Sequence, residues 1–224
     1  MPGSLTAGLE NETALWQQGF RAVVGVDEAG RGAWAGPVMA GAVCLPASRA
    51  VDLSALLVGV RDSKQLTARA REGLVATITT TATAWGVGSA SADEITALGI
   101  VPATCLAMRR ALDQVRAHIT PDYLLLDSIR CDPRDLHPLT DSGAIAHRPI
   151  IRGDQLSLSI AAASILAKVT RDAHMRELDS HYPGYGFATH KGYGSAAHQA
   201  ALKERGLCPV HRLSFRPMRE MVSR

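Results

Sequence analysis

Four acids in this chain stand where chemistry can be done. Asp27 and Glu28 follow an apolar run at residues 22–26, Asp127 follows Leu124-Leu125-Leu126, and Asp154 follows a third strand-like run at 144–151. Short apolar runs of this kind read as buried strands. Strand ends gathered at one edge of a sheet can bring the acids together. Four clustered carboxylates repel one another unless a cation neutralises them. Oxygen ligands of this type select Mg²⁺ or Mn²⁺ over zinc. Two such ions roughly 3.5–4 Å apart stabilise both the attacking and the leaving oxygen in phosphoryl transfer. Taken singly, each acid reads as an exposed turn carboxylate. The repetition of strand followed by acid sets the group apart.

Asp27 and Glu28 pose a geometric problem. Adjacent strand residues point to opposite faces, so the two share a site only if the strand ends or bulges there. Gly30-Arg31-Gly32 supplies irregular backbone directly afterwards, and its glycines let another molecule approach the main chain.

The elements that must position these acids follow from pattern and punctuation. A helix over 9–19 leads into the strand at 22–26. A second strand at 36–45 forms an antiparallel hairpin with it. Thr67 caps a helix over 68–80, and residues 83–89 form a third strand. Ser91-Ala92-Asp93-Glu94 is a capping box, and Gly99 ends its helix. From 102 to 118 a longer helix carries one apolar stripe, Val101, Cys105, Met108, Leu112, Val115 and Ile119, which reads as core packing. Residues 123–126 give a strand ending on Asp127, 131–143 an exposed loop, and 144–151 another strand. A helix over 157–178 contains Ala161-Ala162-Ala163-Ser164, small enough to pack close to a sheet. Ser195 caps a last helix and Gly206 ends it. Together these elements make a mixed α/β layer fold, whose strand order periodicity does not give.

Bulk properties narrow the class. The chain has 224 residues, 46% hydrophobic and 20% charged, with a net charge of +3; that suits one globular domain with a sizeable core. The charge is uneven: residues 168–224 hold ten Lys and Arg against five Asp and Glu, and five of the eight histidines. A basic segment beside an acidic body suits an anionic polymer held against a carboxylate site. Four widely spaced cysteines, Cys44, Cys105, Cys131 and Cys208, give no zinc or redox spacing and fit the reducing cytosol. The polar first twenty residues contain no secretory segment, and no apolar run spans a bilayer. A cytoplasmic protein with no membrane association is expected.

Asp27-Glu28-Ala29-Gly30-Arg31-Gly32, residues 159–169 (Ser-Ile-Ala-Ala-Ala-Ser-Ile-Leu-Ala-Lys-Val), His190-Lys191-Gly192-Tyr193 and His211-Arg212-Leu213-Ser214-Phe215 occur in that order. Together they resemble the type 2 ribonucleases H, specifically bacterial ribonuclease HII, over residues 15–218. The resemblance implies a ribonuclease H-like mixed central sheet flanked by helices, with helical C-terminal elements. Residues 1–20 would be a lead-in and 21–224 a single catalytic domain. It implies a metal-dependent endoribonuclease acting on RNA–DNA hybrids and on ribonucleotide-containing duplex DNA, with Mg²⁺ or Mn²⁺, working as a monomer. Asp27, Glu28 and Asp127 match the family's metal ligands, and Asp154 completes the acidic set. Gly30, Arg31 and Gly32 match its ribose-sensing turn, Tyr193 the tyrosine that lies against the ribonucleotide sugar, and Lys64 a phosphate-contacting lysine. Lys168, Arg171, Lys191 and Arg212 could add phosphate contacts or be solvated charges, and Asp172 reads as a supporting residue. Two positions depart from the pattern: Arg152 stands where lysine is usual, and Ser128 where glycine is common.

Three other readings compete. The type 3 enzymes carry Gly-Lys-Gly and an added N-terminal domain. A catalytically idle binding module would keep the fold, and a transposase-like nuclease would have no use for the Gly-Arg-Gly and Lys-Gly-Tyr elements. Residues 217–224 hold no paired-aromatic motif, so no sliding-clamp docking is expected through the tail.

Overall fold

The computed structural model describes residues 7–127 and 145–222. In chain order these form α1 (Glu10–Gln17), β1 (Val23–Ala29), β2 (Val38–Cys44), α2 (Ala50–Leu56), α3 (Ala68–Thr81), β3 (Ala84–Ala90), α4 (Ala92–Leu98) and α5 (Ile100–Arg116). Then come β4 (Tyr123–Asp127), β5 (Ala146–Ile150), α6 (Gly153–Leu156), α7 (Leu158–His181), α8 (Phe187–His190), α9 (Ala196–Arg205) and α10 (Arg216–Val222). The expected loop at 131–143 and the Ser128 departure lie outside the described residues.

The strands form one mixed sheet in the order β3-β2-β1-β4-β5. The β1–β2 hairpin is antiparallel, as is β2–β3, whereas β1, β4 and β5 run parallel. Strand parity divides the core. Val24, Val26, Leu124 and Leu126 face one layer with Met108 and Leu112 of α5. Val23 and Leu125 face the other, with Ile160, Ala163 and Ile165 of α7. The alanines of α7 let it lie close to β1 and β2: a Cβ on Gly41 would collide with the Ala163 carbonyl. A third cluster, with Met175, Leu178, Phe187, Leu202 and Met218, ties the C-terminal helices to α7.

The caps fall where the side chains demand. Thr67 Oγ1 accepts from Ala70 N–H, the Ser91–Glu94 capping box is complete, and Ser157 caps α7. The α5 stripe is buried at Cys105, Met108, Leu112 and Val115, but Val101 at the first turn is 37% exposed. Two expectations need correction. β1 does not end at Asp27 but runs in unbroken register with β2 to Ala29↔Met39. Asp154 lies not on a strand end but in α6, reached through the left-handed backbone of Arg152 (φ 57°). Cys44 and Cys208 are free thiols, and Cys131 lies outside the described residues. No helix among the described residues is long and apolar enough to cross a membrane.

Candidate active site

The sheet register brings the first two acids together. Parallel pairing of β1 with β4 runs from Val23↔Tyr123 to Val26↔Leu126, which leaves Asp27 and Asp127 as the next residues on adjacent strands. Both share the parity of Val23 and Leu125, so both point toward α7. Asp154 returns to the same place because α6 folds back over β4: Gly153 N–H donates to Asp127 Oδ1 at 2.7 Å. One carboxylate oxygen each from Asp27, Asp127 and Asp154 lie within 4.8 Å of one another. Asp27 and Asp154 are buried, 4% and 3% exposed.

Glu28 points to the opposite side of β1 and is not in that triple. It stays close enough to Asp27 and Asp127 to interact electrostatically with both. Its Oε1 accepts from Arg31 Nη1 at 3.2 Å, whereas Oε2 is buried with no hydrogen-bond partner. The sheet thus brings three acids to one point and sets Glu28 beside them.

The group carries its mutual repulsion in its titration. Burial, then Glu28 and Asp127, push the Asp27 carboxyl well above the usual range against the Ser164 hydroxyl and Glu28 N–H. Burial also raises Asp127, aided by Asp154 and opposed by Gly153 N–H and Lys64. Glu28 is raised by burial against the pull of Arg31. Buried carboxylates that repel one another, with an orphaned oxygen beside them, fit a hard divalent cation.

Lys64 is the nearest neutralising charge. Its Nζ lies 3.0 Å from Asp154 Oδ2, on a side chain 76% exposed. Burial lowers its pKa, but Asp154, Asp62 and Asp27 outweigh that and raise it. Asp62 was not singled out from the sequence, yet it organises this corner. It is buried, accepts Lys64 N–H at 2.9 Å and receives Gln155 Nε2 at 3.2 Å. Its carboxyl sits below the usual range because these bonds and the Lys64 ammonium outweigh burial.

The glycine turn follows directly. Gly30 has φ +91°, and a Cβ there would strike the Arg171 guanidinium. Gly32 faces Tyr193, whose Cε1 would lie 3.8 Å from a Cβ at Gly32. Tyr193 is 42% exposed, with the Arg171 guanidinium 5.6 Å from its ring centre. Turn and tyrosine therefore form one surface, beside Glu28 through its bond to Arg31.

Two arginines hold that surface from behind, and neither is the solvated charge or phosphate contact considered from sequence. Arg171 and Arg212 are fully buried. Arg171 donates to Pro37 O at 2.9 Å and Lys191 O at 3.0 Å, and Arg212 to Gly36 O at 2.8 Å and Arg31 O at 2.9 Å. Burial lowers both pKa values, Arg212 to about 9. One signal for Arg171 was present: it continues the i, i+4 series Ala163, Ala167, Arg171, Met175 on the buried face of α7. Lys168 pairs with Asp172 at 2.6 Å, and Arg71 reaches Asp172 at 3.5 Å, so Asp172 braces α7 against α3. Lys191 Nζ bonds to Ala188 O.

Known proteins bear on the same residues. A family profile described as Ribonuclease HII matches residues 24–218. A protein of Roseiflexus castenholzii named Ribonuclease HII is 49% identical over 214 residues, covering 96% of this chain and 90% of the relative. Among solved structures, ribonuclease H2 from Pyrococcus horikoshii superposes with a TM-score of 0.72 at 27% identity, covering 90% of this chain and 97% of that one. Bst-RNase HIII in complex with Mn²⁺ has the same fold, with a TM-score of 0.71 at 22% identity over 94% of this chain and 72% of that one.

Proposed function

The chain belongs to the ribonuclease HII family and is a type 2 ribonuclease H, a hydrolase; from that premise we propose how its site works and what it cuts. The substrates are RNA in RNA–DNA hybrids and single ribonucleotides embedded in duplex DNA, cut on the 5′ side to leave 3′-hydroxyl and 5′-phosphate ends. This is the chemistry of ribonucleotide removal during replication and repair, and it belongs in the cytoplasm, with the enzyme acting as a monomer. The observation that carries the reading is the meeting of Asp27, Asp127 and Asp154 oxygens within 4.8 Å.

Those three residues would hold Mg²⁺ or Mn²⁺, with Glu28 and its orphaned oxygen completing the set. A divalent cation there supplies activation of the attacking water and charge stabilisation on the phosphoryl group, with two ions sharing the task in the two-metal form. The rest falls to the chain. Asp62 and Asp154 hold Lys64 at the mouth of the site, where its exposed ammonium can meet a phosphate. The backbone at Gly32, where a Cβ would meet only the Tyr193 ring at 3.8 Å, offers close approach to a sugar, and that ring stands against it. A site that senses the 2′-hydroxyl is what distinguishes RNA from DNA.

Cleavage of a duplex carrying one ribonucleotide, with and without Mg²⁺ or Mn²⁺ and with the cut mapped, tests the reading. A cation-dependent cut at the 5′ phosphate of the ribonucleotide is expected. Cation-independent cutting, or a 2′,3′-cyclic phosphate product, would overturn it.

A further inference from the structure

Behind Tyr193 lies a group of histidines that the proposed chemistry does not use. His198 and His211 are buried, 0% and 1% exposed, and His190 stacks on His198 with ring centres 4.5 Å apart. Their proton order is set from the Tyr193 end. The Tyr193 carbonyl oxygen, which can only accept, lies 3.0 Å from His198 Nδ1, so the proton of a neutral His198 is on Nδ1. His198 Nε2 then accepts from His211 Nε2, 3.0 Å away. That leaves His211 Nδ1 as the acceptor of Cys208 N–H at 2.9 Å, with Cys208 Sγ and the Cys208 carbonyl oxygen each 3.1 Å from the same nitrogen. The Tyr193 oxygen also accepts Ser195 N–H at 2.8 Å. His190 follows suit: Nδ1 accepts Gly192 N–H at 3.2 Å and Nε2 donates to Tyr185 O at 2.7 Å. A metal does not explain the pair, because the acidic triple is the only group of three or more such ligands among the described residues.

We propose that His198 and His211 are positioning residues: a one-way relay, Cys208 N–H to His211 to His198 to the Tyr193 carbonyl, sets the angle at which the Tyr193 ring meets the substrate sugar. The inference rests on the reading that Tyr193 touches that sugar. The relay requires neutral rings, since a proton on each facing nitrogen would set donor against donor. Burial supplies that neutrality, pushing His198 down to about 4 and lowering His211. The loop needs such a support. Lys191 and Gly192 both have positive φ, 53° and 78°, so two consecutive residues outside the usual right-handed region lead into Tyr193.

Two measurements test this. Long-range proton–nitrogen spectra of histidine-labelled wild-type protein at neutral pH should show His198 protonated on Nδ1 alone and His211 on Nε2 alone. The opposite tautomers, or a charged ring, would overturn the relay without any variant having to fold. In cleavage of a one-ribonucleotide duplex, His198→Leu should lower kcat about tenfold with KM little changed, as a misplaced contact does. His198→Asn, which keeps a donor near the Nδ1 position, should recover most of the loss. The double variant with Tyr193→Ala should be no worse than Tyr193→Ala alone. Full activity of His198→Leu beside an impaired Tyr193→Ala would refute the relay and spare the tyrosine reading, as would strictly additive losses. Wild-type cleavage by Tyr193→Ala would refute the tyrosine reading and the relay's purpose with it, whatever the tautomers.

Discussion

Two neighbouring regions of this molecule handle buried charge in opposite ways. At the acidic edge, Asp27, Asp127 and Asp154 are packed together with their repulsion largely unrelieved, and Lys64 is the one ammonium in direct contact with them among the described ion pairs. Behind the glycine turn, Arg171 and Arg212 are also buried, but main-chain carbonyls accept from two of the three nitrogens of each, leaving Arg171 Nη1 and Arg212 Nη2 without a partner. The first arrangement raises the Asp27 and Asp127 carboxyl pKa values and costs stability while no cation is bound. The second is bonded before any substrate comes. One region is built to gain a partner and the other to hold still, which suits reactive chemistry at the first and shape recognition at the second.

Asp27→Asn should break the contrast most sharply. Cleavage should fall by on the order of 10³-fold, as loss of a principal charge-stabilising group does. The metal-free variant should nevertheless be more stable than wild type, by on the order of 1 kcal/mol, since a neutral amide removes repulsion while still accepting the Glu28 N–H. Denaturant midpoints beside initial rates would read both. Loss of stability together with activity would mean that Asp27 is structural.

Arg212→Ala should act in the other direction. It strands the Gly36 and Arg31 carbonyls and leaves a cavity, at a cost of about 2–4 kcal/mol in unfolding free energy. A near-neutral result would show that the turn holds its shape unaided.

The pH dependence sharpens the comparison. Asp27, Glu28 and Asp127 titrate higher in the folded protein than their ordinary values of 3.8, 4.5 and 3.8. The native state therefore keeps protons that the unfolded state has lost, and metal-free stability from these groups falls as pH rises from about 4 through their raised values. Asp62 and Glu94 are lowered and act in the opposite sense, losing stabilisation on acidification. The stability advantage of Asp27→Asn over wild type isolates the acidic edge and should grow with pH, then level off. An advantage independent of pH would contradict the assignment. The smallest effect belongs to a site remote from both regions: Ser91→Ala removes half a capping box and should cost about 1 kcal/mol without changing the cleavage rate.

Much of the fold was legible because local physics settles it. Thr67, Ser91 and Ser195 stand where a helix needs an acceptor, and the apolar runs before Asp27 and Asp127 leave no alternative to buried strands. The pairing of those two acids was half visible, since each ends the same pattern, but their adjacency depends on the β1–β4 register, which no local signal encodes. Strand alternation sets Asp27 and Glu28 on opposite faces, and β1 keeps them there because it neither ends nor bulges between them. Arg171, Arg212, His198 and His211 were missed because their residue types speak for the surface. Only tertiary packing, with carbonyls and ring nitrogens converging on them, makes their burial tolerable.

The central claim is that the acidic edge is a cation site, in which burial and mutual repulsion raise the Asp27 and Asp127 carboxyls. Calorimetric titration of Mn²⁺ into the wild-type protein and into Asp127→Asn, each in two buffers of different ionisation enthalpy, tests it most directly. The account predicts saturable binding to wild type with net release of protons, and binding at least about tenfold weaker to the variant. Binding of equal strength to both proteins, or no binding to wild type, would contradict it.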